Sequence, residues 1–166
     1  MDDAPTIKEG YVPGAIGRVT EMHGTYYSKN WGFDLFFESK VASELSGFLR
    51  RLREGRDGFW AVVSEKRVVG SIAIDGSGAG NEGAHLRWFI VDHEWRGHGL
   101  GGPLLSKALD FSRNAGHRKI YLWTFAGLDP ARHLYEKSGF RLVEEHEGVQ
   151  WGKKVREQKF QLDWRS

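Results

Sequence analysis

The stretch that most limits what this chain can fold into runs from Leu86 to Ala115, LRWFIVDHEWRGHGLGGPLLSKALDFSRNA. Leu86 to Val91 is an apolar run rich in β-branched and aromatic side chains, the composition of a buried strand. Asp92, His93 and Glu94 end it. Arg96-Gly97-His98-Gly99-Leu100-Gly101-Gly102 follows, four glycines within six residues behind an arginine. After Pro103 the apolar spacing becomes helical. Leu104, Ala108, Phe111 and Ala115 share a face, with Leu105, Leu109 and Ser112 beside them. Strand, glycine loop and helix start, in that order, predict an anion site. The first N–H groups of a helix have no partner inside it, and the helix dipole makes that end partly positive. A loop without β-carbons lets those groups close on a phosphate. Pro103 fits the first turn, where its missing N–H costs nothing, and Arg96 adds a full charge at the mouth.

The flanking sequence reads as a single domain over residues 1–166, with no linker, repeat or low-complexity segment. Thr6 to Val12 is a candidate edge strand. Pro13-Gly14 opens a helix whose face holds Ile16, Val19, His23, Tyr26 and Tyr27. Asp34 is a good N-cap for a second helix burying Phe37, Val41, Leu45, Phe48 and Leu52. Phe59–Ser64 and Val68–Asp75 read as a hairpin around Glu65-Lys66-Arg67. Gly116 closes the central helix. Arg118 to Thr124 is a strand, Pro130 to Ser138 a short helix, and Phe140–Glu147 and Arg156–Trp164 are two last strands. The predicted class is α/β, in the order β-α-α-β-β-β-α-β-α-β-β.

Composition narrows the chemistry. No cysteine is present, which excludes disulfides, thiolate zinc sites and a cysteine nucleophile. A net charge of +2 gives no general pull on nucleic acid. No apolar run approaches membrane-spanning length and no signal peptide opens the chain, so a soluble cytoplasmic protein is expected. Ten Phe, seven Trp and five Tyr are enough to line a pocket as well as fill a core.

Two motifs carry a family resemblance. Arg96-Gly97-His98-Gly99-Leu100-Gly101 fits R-x-x-G-x-G directly after a β-rich run. Ala131-Arg132-His133-Leu134-Tyr135-Glu136-Lys137-Ser138-Gly139-Phe140 fits A-x-x-L-Y-E-K-x-G-F. With a helix and a strand between them, the chain resembles the GNAT superfamily of acyl-CoA-dependent N-acyltransferases. The segments HGTYYSKNWGFD and REQKFQLDW are also similar to the GNAT half of fused MarR-type regulator/acetyltransferase proteins.

The resemblance implies a mixed, mostly antiparallel twisted sheet of about seven strands flanked by about four helices. It implies acetyl-CoA, or a related acyl-CoA, as co-substrate and no metal. N–H groups of Gly97, His98, Gly99, Leu100, Gly101 and Gly102 would meet the diphosphate, with Arg96 beside them. Phe89, Ile90 and Val91 would pair with the pantetheine arm as if it were a strand, and an N–H there would hold the oxyanion. Tyr135 would protonate the departing thiolate, a task within reach of a neutral phenol. Dimers are common in the family, so a homodimer is an expectation too. Two positions depart from the pattern. Leu128 stands where many relatives have Asn, and Trp123 where some carry a glutamate base.

His23, Tyr26, Tyr27 and Trp31 fall where this fold forms its acceptor side, and Trp123 is a further candidate wall. His23 and Glu21 are candidate bases. His85 and Arg87 alternate with Leu86 and Trp88, which predicts one polar face on that strand. The aromatic supply favours a small-molecule amine over a protein acceptor. A dinucleotide-binding oxidoreductase is the first rival, since Gly97, Gly99 and Gly102 fit G-x-G-x-x-G. The acidic residue it needs about 20 residues on is missing from Ile120-Tyr121-Leu122-Trp123-Thr124. A non-catalytic acyl-CoA sensor on the same fold is the second.

Overall fold

A computed structural model describes residues 4–80 and 82–164. The order is β1 (Thr6–Glu9), α1 (Ala15–Trp31), α2 (Leu35–Arg51), β2 (Gly58–Ser64), β3 (Arg67–Asp75), β4 (Ala84–Val91), a short 3-10 turn (His93–Trp95), α3 (Gly101–Asn114), β5 (Lys119–Phe125), α4 (Asp129–Lys137), β6 (Arg141–Gly148) and β7 (Val155–Asp163). The edge strand is shorter than expected, stopping at Glu9 because Gly10 turns the chain at φ 91°. The central helix starts earlier, at Gly101, with Pro103 inside its first turn.

Local chemistry fixes the element ends. Gly32 at φ 72° closes α1, with its N–H on Ser28 O and the N–H of Phe33 on Tyr27 O, a Schellman-type ending. The Asp34 carboxylate accepts from Leu35 N–H and starts α2. Glu65 and Lys66 take φ 51° and 65°, which makes the β2–β3 turn a tight two-residue loop without glycine.

The seven strands form one sheet in the order β1-β2-β3-β4-β5-β7-β6. Every pairing is antiparallel except β4 with β5. Helices cover both faces, which is why β2 and β3 are buried almost throughout. One core lies under α1 and α2 and joins Val19, Phe37, Leu45 and Phe48 to Phe59, Trp88 and Phe125. The other lies under α3 and α4 and joins Leu104, Leu105 and Tyr135 to Leu86, Ile120 and Phe160.

Candidate active site

The site begins where the sheet comes apart. β4 and β5 pair only at Ala84↔Ile120 and His85↔Tyr121. Beyond His85, β4 has β3 on one side and no strand on the other. A bulge lies in this length, which is paired on its β3 side alone. Ala73 pairs with Arg87 but Ser71 pairs with Ile90, so β4 holds one residue too many. The extra residue is Trp88, at φ 47°, a value that only tertiary contacts hold for a bulky side chain. Ser71 Oγ donates to the Trp88 carbonyl at 2.7 Å and pins it.

The bulge corrects the simple alternation read from the sequence. Leu86 and Phe89 both face the α3 side, whereas Trp88 turns to the α1/α2 side with Arg87. The Arg87 guanidinium accordingly lies 4.2 Å over the Trp88 ring.

The glycine loop follows. Gly97 and Gly99 sit at φ 81° and 74°, where side chains are disfavoured. Among the described residues, the N–H groups of Gly97, Gly99, Leu100, Gly101 and Gly102 have no hydrogen-bond partner. His98 differs. Its N–H donates to Trp95 O at 3.3 Å, and its ring packs on Trp95. Arg96 folds back, Nε donating to Val91 O at 3.3 Å and the guanidinium 4.0 Å over Tyr26. Phe89, Ile90, Val91, Arg96, Gly97, Gly99, Leu100 and Gly101 line one cleft of about 480 Å³, closed on its far side by Gly127, Pro130 and Leu134. His98 and Gly102 lie outside that lining.

A second cleft, of about 410 Å³, opens on the other side of the splayed strands. Tyr27, Phe89, Leu128 and Ala131 line both, so the two spaces meet there. Tyr135 lines the second cleft, next to Phe89. α4 carries it, and its ring, 7% exposed, packs between Phe89, Phe140 and Phe160. Burial, then the nearby Tyr27, pushes its phenol above the usual tyrosine range, so it stays protonated.

Residues 17–140 match the Acetyltransferase (GNAT) family. The chain belongs to that family. It is 29% identical over 119 residues to N-acetyltransferase MJ1207 of Methanocaldococcus jannaschii, itself uncharacterized, a stretch covering 69% of this chain and 53% of the relative. It is 37% identical over 91 residues to N-acetylaspartate synthetase of Xenopus tropicalis, covering 53% and 33%. The chain thus spans about half or less of the length of these curated relatives. Among solved structures, yncA from Salmonella typhimurium with its cofactor acetyl-CoA superposes at a TM-score of 0.75 with 17% identity, covering 99% of this chain and 96% of that one. That likeness is one of fold, and the seven-stranded sheet with four helices is the GNAT fold.

Within this GNAT chain the remaining sequence candidates separate. His23, Tyr27 and Trp123 line the second cleft. Tyr26 instead borders the glycine-loop cleft, under Arg96. Trp31 lines neither cleft; its ring packs on Phe125 at 5.0 Å and against Gly127, where a Cβ would meet it at 2.4 Å. Glu21 is exposed and pairs with Arg18 and Arg67. Leu128 adds an apolar wall to both clefts.

His23 is buried and donates from Nδ1 to Val19 O, 2.8 Å away, so Nδ1 carries the proton. Burial lowers its pKa to about 4. His85 stacks on Tyr121 at 4.5 Å, and burial followed by Arg87 lowers its pKa to about 3. Burial, then Tyr26, pushes Tyr27 up to about 12.

Sequence reasoning missed Lys40, Glu44 and Gln150, which also line the second cleft. Glu44 holds Lys40 at 2.6 Å and pairs with Arg87 across from α2 to β4. Buried Glu157 accepts from Gln150 Nε2 at 2.7 Å and so sets the β6–β7 turn that presents Trp151. Among the described residues no cluster of His, Cys, Asp or Glu is placed to hold a metal, and no helix is long and apolar enough to cross a membrane.

Proposed function

We propose that this GNAT domain transfers an acetyl group, or another short acyl group, from acyl-CoA to the primary amine of a small molecule by direct attack. The observation that carries the reading is the continuity of three features. Unpartnered loop N–H groups lie at a helix start, an unpaired strand edge runs inward from them, and a second cleft meets that edge beside Tyr135.

Acyl-CoA fits this donor set. The free N–H groups of Gly97, Gly99, Leu100, Gly101 and Gly102 would bind its diphosphate, none of them taken by the chain. Arg96, released from Tyr26, would add charge. The main chain of Phe89, Ile90 and Val91 would take the pantetheine arm as a further strand. Bound there, acyl-CoA supplies an activated thioester and a good leaving group. Main-chain N–H groups of β4 next to the bulge at Trp88 would hold charge on the carbonyl oxygen.

The second cleft would hold the amine. Its volume of about 410 Å³ suits a small molecule. Arg87 and Lys40 disfavour a cationic substrate nitrogen and so favour the neutral, nucleophilic amine. His23 and His85 line this cleft and, neutral at pH 7, would accept hydrogen bonds from its N–H groups. A C–N bond forms, the C–S bond breaks, and the proton lost by nitrogen ends on sulfur. Tyr135 would stabilise that sulfur by donating a hydrogen bond while the bond breaks.

Purified protein with acetyl-CoA and a panel of small amines tests the reading. Thiol release that depends on the amine, with the acylated amine found by mass spectrometry, is expected. Coenzyme A binding without transfer to any amine would instead support the sensor reading.

A further inference from the structure

The second cleft carries an unequal charge set. Its lining holds two cations, Lys40 and Arg87, against one carboxylate, Glu44. Glu44 is already engaged by both. Burial alone would raise its pKa, yet the hydrogen bonds from Lys40 and Arg87 hold it below the ordinary range, so it stays an anion bound to this pair.

The cations are not used up. Glu44 takes one Lys40 donor and one Arg87 donor, Nη2. An ammonium has three N–H donors and a guanidinium five. Nε and Nη1 of Arg87 have no partner among the described residues. Arg87 is also held in place, by Glu44 at one end and by the Trp88 ring 4.2 Å beneath it. A fixed guanidinium with spare donors and a net positive surrounding is built to receive a planar anion. A polyamine would bring more positive charge to a wall that has no free carboxylate.

Resting on the acyl-transfer reading above, we infer that the acceptor carries a carboxylate of its own, bound by Arg87 and Lys40. Its apolar body faces Trp123, Trp151 and Phe125. The acceptor is therefore of the amino-acid class.

The test uses wild-type protein and matched acceptors on phenyl, indole and aliphatic bodies: the amino acid, its amide and its decarboxylated amine, with spermidine alongside. Thiol release gives kcat/KM for each. The best amino acid should exceed its own amide by about 10- to 100-fold, the worth of charge-assisted hydrogen bonds. Arg87→Gln should shrink that ratio below about threefold by raising KM for the amino acid, while the amide-to-amine ratio stays put. Lys40→Gln, at a more open position, should shrink it in the same direction if Arg87→Gln fails to fold. Equal rates for acid and amide, or spermidine as the best acceptor, overturn this inference and leave acyl transfer standing. No acylation of any amine by protein that binds coenzyme A overturns the acyl-transfer reading and this inference with it.

Discussion

Replacing Tyr135 by Phe removes one oxygen and keeps the ring. The ring is 7% exposed, with the centroids of Phe89, Phe140 and Phe160 at 6.1, 5.8 and 6.2 Å, so phenylalanine fills the same space. The hydroxyl has no hydrogen-bond partner among the described residues. Folding stability should therefore change by less than about 1 kcal/mol. The rate should change more. A donor aimed at charge that develops in the transition state is worth about 3 kcal/mol, or about 100-fold in kcat. Tyr135 lines the amine cleft and is absent from the lining of the glycine-loop cleft, so acetyl-CoA affinity should hold within about threefold. Single-turnover thiol release separates chemistry from product release, and calorimetry gives the affinity. The raised phenol pKa adds a sign. An acid whose pKa lies above the ordinary value keeps its proton longer, so the wild-type rate should not fall as pH rises to about 10. A mutant within about twofold of wild type in single turnover would refute the assignment.

Further outcomes follow from the same geometry. Gly99→Val places a β-branched residue at φ 74°, where nothing crowds it but the backbone disfavours it; coenzyme A affinity should drop more than tenfold by calorimetry. Gly102→Ala meets open space without a positive φ and should leave the melting temperature unchanged. Gly127→Val combines φ 109° with the Trp31 ring at 2.4 Å and should lower stability by about 2 kcal/mol or more in urea titration. His23 is lowered from 6.5 to about 4, so the unfolded chain binds the extra proton between those values. Stability from this residue is full above about pH 6.5 and is lost as pH falls toward 4, about 3 kcal/mol in all. His23→Leu should flatten the stability slope in that window; an unchanged slope would remove His23 as its source.

The sequence was informative where structure has a local cause. The glycines at positive φ, the Asp34 cap, the 3.6-residue spacing of α2 and the period change after Pro103 each act within a few residues. They marked the loop, the helices and the order of elements. The motif around Tyr135 marked a short helix whose tyrosine lines the second cleft.

What escaped has a long-range cause. The bulge at Trp88 is set by Ser71, on the neighbouring strand, so the side chains of β4 could not be sorted into faces by alternation alone. Glu44 and Arg87 are 43 positions apart and meet only because α2 crosses β4. Tyr26 and Tyr27 are adjacent, but successive helix positions turn by about 100°, and only Tyr27 reaches the second cleft. Trp31 is a candidate wall by sequence because it falls where this fold forms its acceptor side. The close approach of Gly127 makes it a support behind the loop instead.

The central claim is that main-chain nitrogens between Gly97 and Gly102 grip a diphosphate. Backbone amide NMR during a titration with coenzyme A reads those nitrogens directly. The account predicts large shifts at Gly97, Gly99, Leu100, Gly101 and Gly102, with smaller ones along Phe89 to Val91. Saturable binding that leaves these five amides unmoved would contradict it.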